Sequence, residues 1–120
     1  MSQKKLTIKS WSEDDRPREK LAMKGASSLS NAELIAILIG SGNNRESAVE
    51  LSKKILSQCG DRLSMLSKMT INDLQAFNGI GQAKAITIIA AVEFAKRKSL
   101  EVQIQKPLIQ SSKDAFEYMR

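Results

Sequence analysis

The sequence predicts an all-α fold, a compact bundle of about five helices with an extended tail. Three observations point to it. Ser30-Asn31-Ala32-Glu33 and Thr70-Ile71-Asn72-Asp73 both have the form of a capping box, in which hydroxyl and carboxylate take up free amides of a helix's first turn. Apolar residues recur at helical spacing behind each box. Glycines then stop both patterns, at Gly40 and Gly79.

Taken in order, Arg16-Pro17-Arg18-Glu19-Lys20-Leu21 predicts the start of a helix, because proline is tolerated in a first turn where its missing N–H is not needed. Gly25 ends that helix. The stretch 6–11 is too short to assign, and Trp11 is expected to cover one end of the core. Leu29 and Leu34 flank the first capping box as a hydrophobic staple, and Leu34, Ile35, Leu38 and Ile39 carry the apolar face. A longer helix follows over about 44–58, with Ala48, Val49, Leu51 and Ile55 on its apolar side and Gly60 as its stop. A short helix is predicted near 61–67. Behind the second box, Met69 and Leu74 form the staple pair, with Leu74 and Phe77 facing inward.

The segment 82–98 is apolar around most of its circumference (Ala85, Ile86, Ile88, Ile89, Val92, Phe94), which predicts a helix in the middle of the bundle. After Ser99 the pattern changes. Val102-Gln103-Ile104-Gln105 alternates as a strand does, and Pro107 should break any helix. Ser111-Ser112-Lys113-Asp114 offers a new cap, and the chain stops at Arg120 in mid-pattern, as expected of a piece of a longer protein. Residues 1–15 then read as an N-terminal arm, 16–99 as the folded domain and 100–120 as a linker leading into a further domain.

The two capped helices lead into similar turns. Gly40-Ser41-Gly42 and Gly79-Ile80-Gly81 are both Gly-x-Gly and stand 39 residues apart, each between two helical segments. This pattern predicts two tandem helix-hairpin-helix-like units from a diverged duplication, with chance similarity of two ordinary αα-hairpins as the alternative. In the second unit, glycines at 79 and 81 permit close approach of a ligand to the backbone. Amides of Gly79, Ile80, Gly81 and Gln82 at the mouth of the next helix, with Lys84 in its first turn, can then hold a phosphate oxygen. Ile80 should point inward. In the first unit, Gly40, Ser41, Gly42 and Arg45 form a second candidate cradle, with Ser41 in place of the apolar residue and Arg45 in place of Lys84.

Contacts of this kind grip a nucleic-acid backbone without reading its sequence, so DNA is the expected partner and binding should be weak and salt-dependent. The formal charge of +6 favours an anionic partner. Residues 61–98 hold six basic and three acidic side chains, yet Lys96, Arg97 and Lys98 lie roughly 18 Å beyond Lys84 along a helix and cannot serve the same phosphate. The other surplus lies in residues 1–25, seven basic against four acidic. The alternative for both hairpins is a tight αα-turn in a protein-interaction bundle.

Composition excludes several functions. With no histidine, these 120 residues hold no imidazole zinc site and no histidine general base. The lone Cys59 permits no internal disulfide and is expected to be a small buried hydrophobe in a reducing compartment. No apolar run is long enough for a signal peptide or a membrane span, so a cytoplasmic protein without membrane or small-molecule partners is expected.

Four blocks resemble the N-terminal region of the RadC family, bacterial proteins long described as DNA repair proteins: Arg16-Pro17-Arg18-Glu19-Lys20-Leu21, the run from Leu29 to Leu38, Gly79-Ile80-Gly81-Gln82-Ala83-Lys84-Ala85, and Ser111-Ser112-Lys113-Asp114-Ala115. The resemblance implies a helix-hairpin-helix domain followed by a JAB/MPN-type metallohydrolase domain. That second domain would carry the zinc and the catalytic residues, leaving the present chain non-enzymatic and free of cofactor. It also implies a monovalent cation on the hairpin carbonyls of Gln75, Phe77 and Ile80. Asn78 departs from the proline that often precedes the first glycine of DNA-binding hairpins.

Overall fold

A computed structural model describes residues 2–111, with side chains from 13 to 101. Six α-helices and one 3₁₀ turn make up the regular structure, and no strand occurs among the described residues. They are α1 (Ser2–Lys24), α2 (Asn31–Ile39), α3 (Ala48–Gln58), α4 (Leu63–Leu66), α5 (Ile71–Gln75) and α6 (Gln82–Ser111). The all-α prediction holds. The described residues divide into two units, one ending at residue 89 and the other beginning at residue 90, and α6 contributes to both. No helix among the described residues is long and apolar enough to cross a membrane.

Both predicted capping boxes form. Ser30 Oγ accepts from Glu33 N while Glu33 Oε1 accepts from Ser30 N at 2.8 Å, and Thr70 with Asp73 repeats the exchange. A third box opens α3, where Ser47 and Glu50 do the same. It went unread because the helix was expected from about 44. Ser47-Ala48-Val49-Glu50 has the same S-x-x-E signature and places the start correctly.

The core is built from Ile35, Ala36 and Ile39 of α2, Leu51, Ile55 and Leu56 of α3, Leu66, Leu74 and Ile80 from the following segments, and Ala85 and Ile88 of α6. Helix α2 buries only part of the predicted stripe: Ile35 and Ile39 face inward as expected, Leu34 and Leu38 do not. Ala32, Ile35, Ala36 and Ile39 are buried, whereas Leu34 and Leu38 are each 37% exposed. Alanines at 32 and 36 let α2 approach its neighbours closely, and the larger leucines face outward. Leu29 is buried, but the exposure of Leu34 weakens the expected staple. Cys59 is buried, with its Sγ 3.4 Å from Met69 Sδ.

Three further expectations need correction. Pro17 does not open a helix but lies inside α1. It is among the most completely buried side chains, so the packing of its ring offsets one missing backbone hydrogen bond. Segment 82–98 is not buried on all sides: Ile86 is 48% and Phe94 79% exposed. The strand-like 102–105 and Pro107 lie within α6, and residues 100–111 are helical rather than an extended tail. Four alternating residues need a partner strand, and the described residues offer none. The cap at 111–114 falls largely outside the described residues, as does the side chain of Trp11.

One buried carboxylate ties α1 to the rest. Asp14 is 6% exposed; its Oδ1 accepts from the buried Ala48 N at 2.7 Å and its Oδ2 from Gly42 N at 3.4 Å. It thus sits at the positive end of α3, where a negative charge is favourable. On α2, Glu33 also accepts from Lys20 Nζ at 3.2 Å. The Ser30 amide first, then Lys20, holds its carboxyl below the usual glutamate value.

Asp14→Ala leaves a buried amide without its acceptor and should cost about 2–3 kcal/mol, against about 1 kcal/mol for Ser30→Ala at an exposed cap. Urea unfolding of the two variants checks the order. The lowered pKa of Glu33 means that its stabilisation is complete above the ordinary value of 4.5 and is lost as pH falls through the folded value. Melting temperature measured from about pH 6 down to pH 3 should therefore fall less steeply in Glu33→Gln than in the parent.

Candidate nucleic-acid interface

The two Gly-x-Gly turns are built alike at their first glycine and differently at their second. Gly40 has φ +79° and Gly79 φ +100°, a region that side chains disfavour. Neither Gly42 nor Gly81 has a positive φ. A Cβ on Gly42 would overlap the backbone of Glu46 and Ser47, so glycine is demanded there by packing. A Cβ on Gly81 would meet nothing within 4 Å. Open space thus lies over the second glycine of the second turn only.

The second turn is docked against the first. A Cβ on Gly79 would come 3.0 Å from Asn43 Cβ and 3.3 Å from Leu51 Cδ2. Asn43 Nδ2 donates to the Asn78 carbonyl at 2.7 Å and to Glu46 Oε1 at 3.0 Å, while its Oδ1 accepts from the amides of Arg45 (2.8 Å) and Glu46 (2.9 Å). All four hydrogen-bonding positions of this one amide are filled. Lys84 crosses the same junction, with Nζ 2.8 Å from the Ser41 carbonyl and 3.1 Å from Ser41 Oγ. Asn43 was missed by sequence reasoning, since nothing in the Asn43-Asn44 pair after Gly-x-Gly announces a partner 35 residues away.

The predicted phosphate residues fall into two groups. Ile80 is buried and its amide donates to the Phe77 carbonyl at 3.0 Å, so it shapes the turn. The first intrahelical bond of α6 runs from Ala85 N to the Gly81 carbonyl. The amides of Gln82, Ala83 and Lys84 therefore have no acceptor within the helix. Both Gly81 and Gln82 are exposed. In the first turn, Ser41 and Arg45 are exposed while Gly40 and Gly42 are half-buried, and Arg18 Nη2 lies 3.3 Å from where a Cβ of Gly40 would stand. Of the carbonyl-bearing residues Gln75, Phe77 and Ile80, only Phe77 has its carbonyl engaged in the turn by Ile80 N.

Charge placement sets α6 apart. The third residue of α2, α3 and α5 is Glu33, Glu50 and Asp73, each closing a capping box. In α6 the corresponding residue is Lys84, and Gly81 before the helix has no side chain to cap it. Its partner Ser41 carries no charge to offset the ammonium beside the positive end of the helix. On the far side of Asn43, Glu46 pairs with Lys54 at 2.9 Å, and Lys54 first, then Asn43, holds its carboxyl below the usual range. No cluster of three or more histidine, cysteine, aspartate or glutamate side chains suited to a metal occurs among the described residues.

The profile of the family described as UPF0758 N-terminal matches residues 8–86. A UPF0758 protein of Flavobacterium johnsoniae is 52% identical over 96% of this chain and 50% of its own length. UPF0758 proteins of Porphyromonas gingivalis and Syntrophomonas wolfei are 43% and 41% identical over 92% and 96% of the chain. The chain spans about half the length of these curated relatives. No solved structure matches it. By the family profile and these relatives, the chain belongs to the UPF0758 family, the RadC-like proteins, and represents their N-terminal domain.

Proposed function

We propose that this domain binds the phosphate backbone of DNA without reading sequence, as a binding module rather than an enzyme. The observation that carries the proposal is the open mouth of α6: Gly81 has free space where a side chain would stand, three helix amides lack acceptors, and Lys84 adds a charge held on a neutral partner. An anion there would complete a helix end that has no acid of its own. Arg45, exposed on the first turn and tied to the second through Asn43, is a further cation available to a strand. A monovalent cation on the carbonyls of Gln75, Phe77 and Ile80 belongs to the same proposal, since the Phe77 carbonyl retains a second lone pair.

A second use of the domain is to position the remainder of the protein, which by the family resemblance would be a zinc-bearing JAB/MPN domain. Leu34 and Leu38 favour it, because they stand one turn apart on α2 and both remain exposed.

Fluorescence anisotropy with labelled duplex should give weak binding whose affinity falls with salt at a log–log slope of about −1 to −3, as for one to three neutralised phosphates. Gly81→Asp with Lys84→Glu should abolish it. Ser41→Ala, which keeps the carbonyl partner of Lys84, should leave it within about twofold. No affinity at low salt, or affinity indifferent to the double change, overturns the proposal. For the second use, Leu34→Glu with Leu38→Glu should shift this domain's unfolding by no more than about 0.5 kcal/mol per site, yet alter protease sensitivity of the full-length protein.

A further inference from the structure

A cleft of about 330 Å³ opens beside the second turn, lined by Glu46, Lys54, Gln58, Leu51, Phe77 and Asn78 among others. Its size lies at the lower end of the range for small-ligand sites. Its walls are of two kinds. Leu51, Ala76 and Phe77 contribute its apolar lining; Leu51 is buried, and Phe77 is only half-buried. The same lining carries a carboxylate, an ammonium and two side-chain amides, which offer both donors and acceptors. Glu46 is itself fixed, by Lys54 at 2.9 Å and Asn43 at 3.0 Å, so its acceptor is presented in a defined position.

We infer that this cleft takes an unpaired nucleobase from a strand whose phosphate sits at the mouth of α6, and so gives the domain a preference for single-stranded DNA. A base has apolar faces and a polar edge, which match an aromatic side chain and mixed polar groups in one lining. Stacking on an aromatic ring is indifferent to sequence, in keeping with backbone contacts that read none. The two sites belong to one short turn: Phe77 and Asn78 line the cleft, and Gly81 opens the helix three residues after Asn78, at most about 10 Å of chain. One strand can therefore reach both. A base stacked within duplex could not enter without leaving its stack. This inference rests on the backbone-binding proposal and adds the form of DNA preferred.

The experiment compares three probes of equal phosphate number against the 120-residue protein: a thymidine single strand, an abasic single strand and a duplex. The abasic strand isolates the backbone contacts. The expected result is binding to all three, about tenfold tighter for the thymidine strand. Phe77→Ala, and the better-packed Phe77→Leu, both of which keep the carbonyl, should bring the affinity for the thymidine strand down to that for the abasic strand. A 2-aminopurine placed in the strand should lose fluorescence on binding to the parent and not to either variant. Equal affinity for the thymidine and abasic strands overturns the cleft while sparing the backbone proposal. Binding to none of the three overturns both.

Discussion

The side chain of Asn43 is the junction on which the arrangement of the domain depends. It closes its own loop by accepting from Arg45 and Glu46 and joins that loop to the second turn through the Asn78 carbonyl. A shorter side chain could not span the gap, and a carboxylate could not donate. The close approach also explains Gly79, whose Cβ would crowd Asn43. Asp14 braces the same loop from α1 through Gly42 and Ala48. Two turns far apart in the chain are thereby held as one rigid surface, each ordering the other at a shared entropic cost.

That rigidity gives the exposed groups meaning. Three helices end their polar accounts internally, each with its own hydroxyl and carboxylate. Helix α6 does not, and it places a lysine where the others place an acid. Lys84 is both a strut, through Ser41, and a charge. Such a double role suits backbone recognition, where a fixed cation loses less freedom on binding than a mobile one. In the cleft beside the turn, the pairing of Glu46 with Lys54 leaves little net charge, which suits a base edge better than a phosphate.

Much of the fold was legible because it is local. A capping box spans four residues, so Ser30 with Glu33 and Thr70 with Asp73 could be read without knowing any neighbour. Ser47 with Glu50 was equally local and was obscured only by setting the helix start about four residues too early. Properties that depend on partners were less legible. The inward stripe of α2 pairs Ile35 and Ile39 with the small Ala32 and Ala36 rather than with Leu34 and Leu38. Pro17 reads as a helix start until its burial inside α1 is seen. The alternation at 102–105 suggests a strand only as long as a pairing partner is supposed.

For the site, residue types and spacing determined that two glycine turns would each open between helices, that Ile80 would be buried, and that Lys84 would stand in the first turn of α6. These follow from glycine's backbone freedom, the helical repeat and the burial of apolar side chains, all short-range. The sequence could not tell the two second glycines apart. Only the tertiary structure decided that Gly42 is filled by the chain's own backbone while Gly81 faces open space, and that Lys84 reaches Ser41 across 43 positions of sequence. The reason is geometric: a close approach between distant segments leaves no periodic or compositional trace in either one.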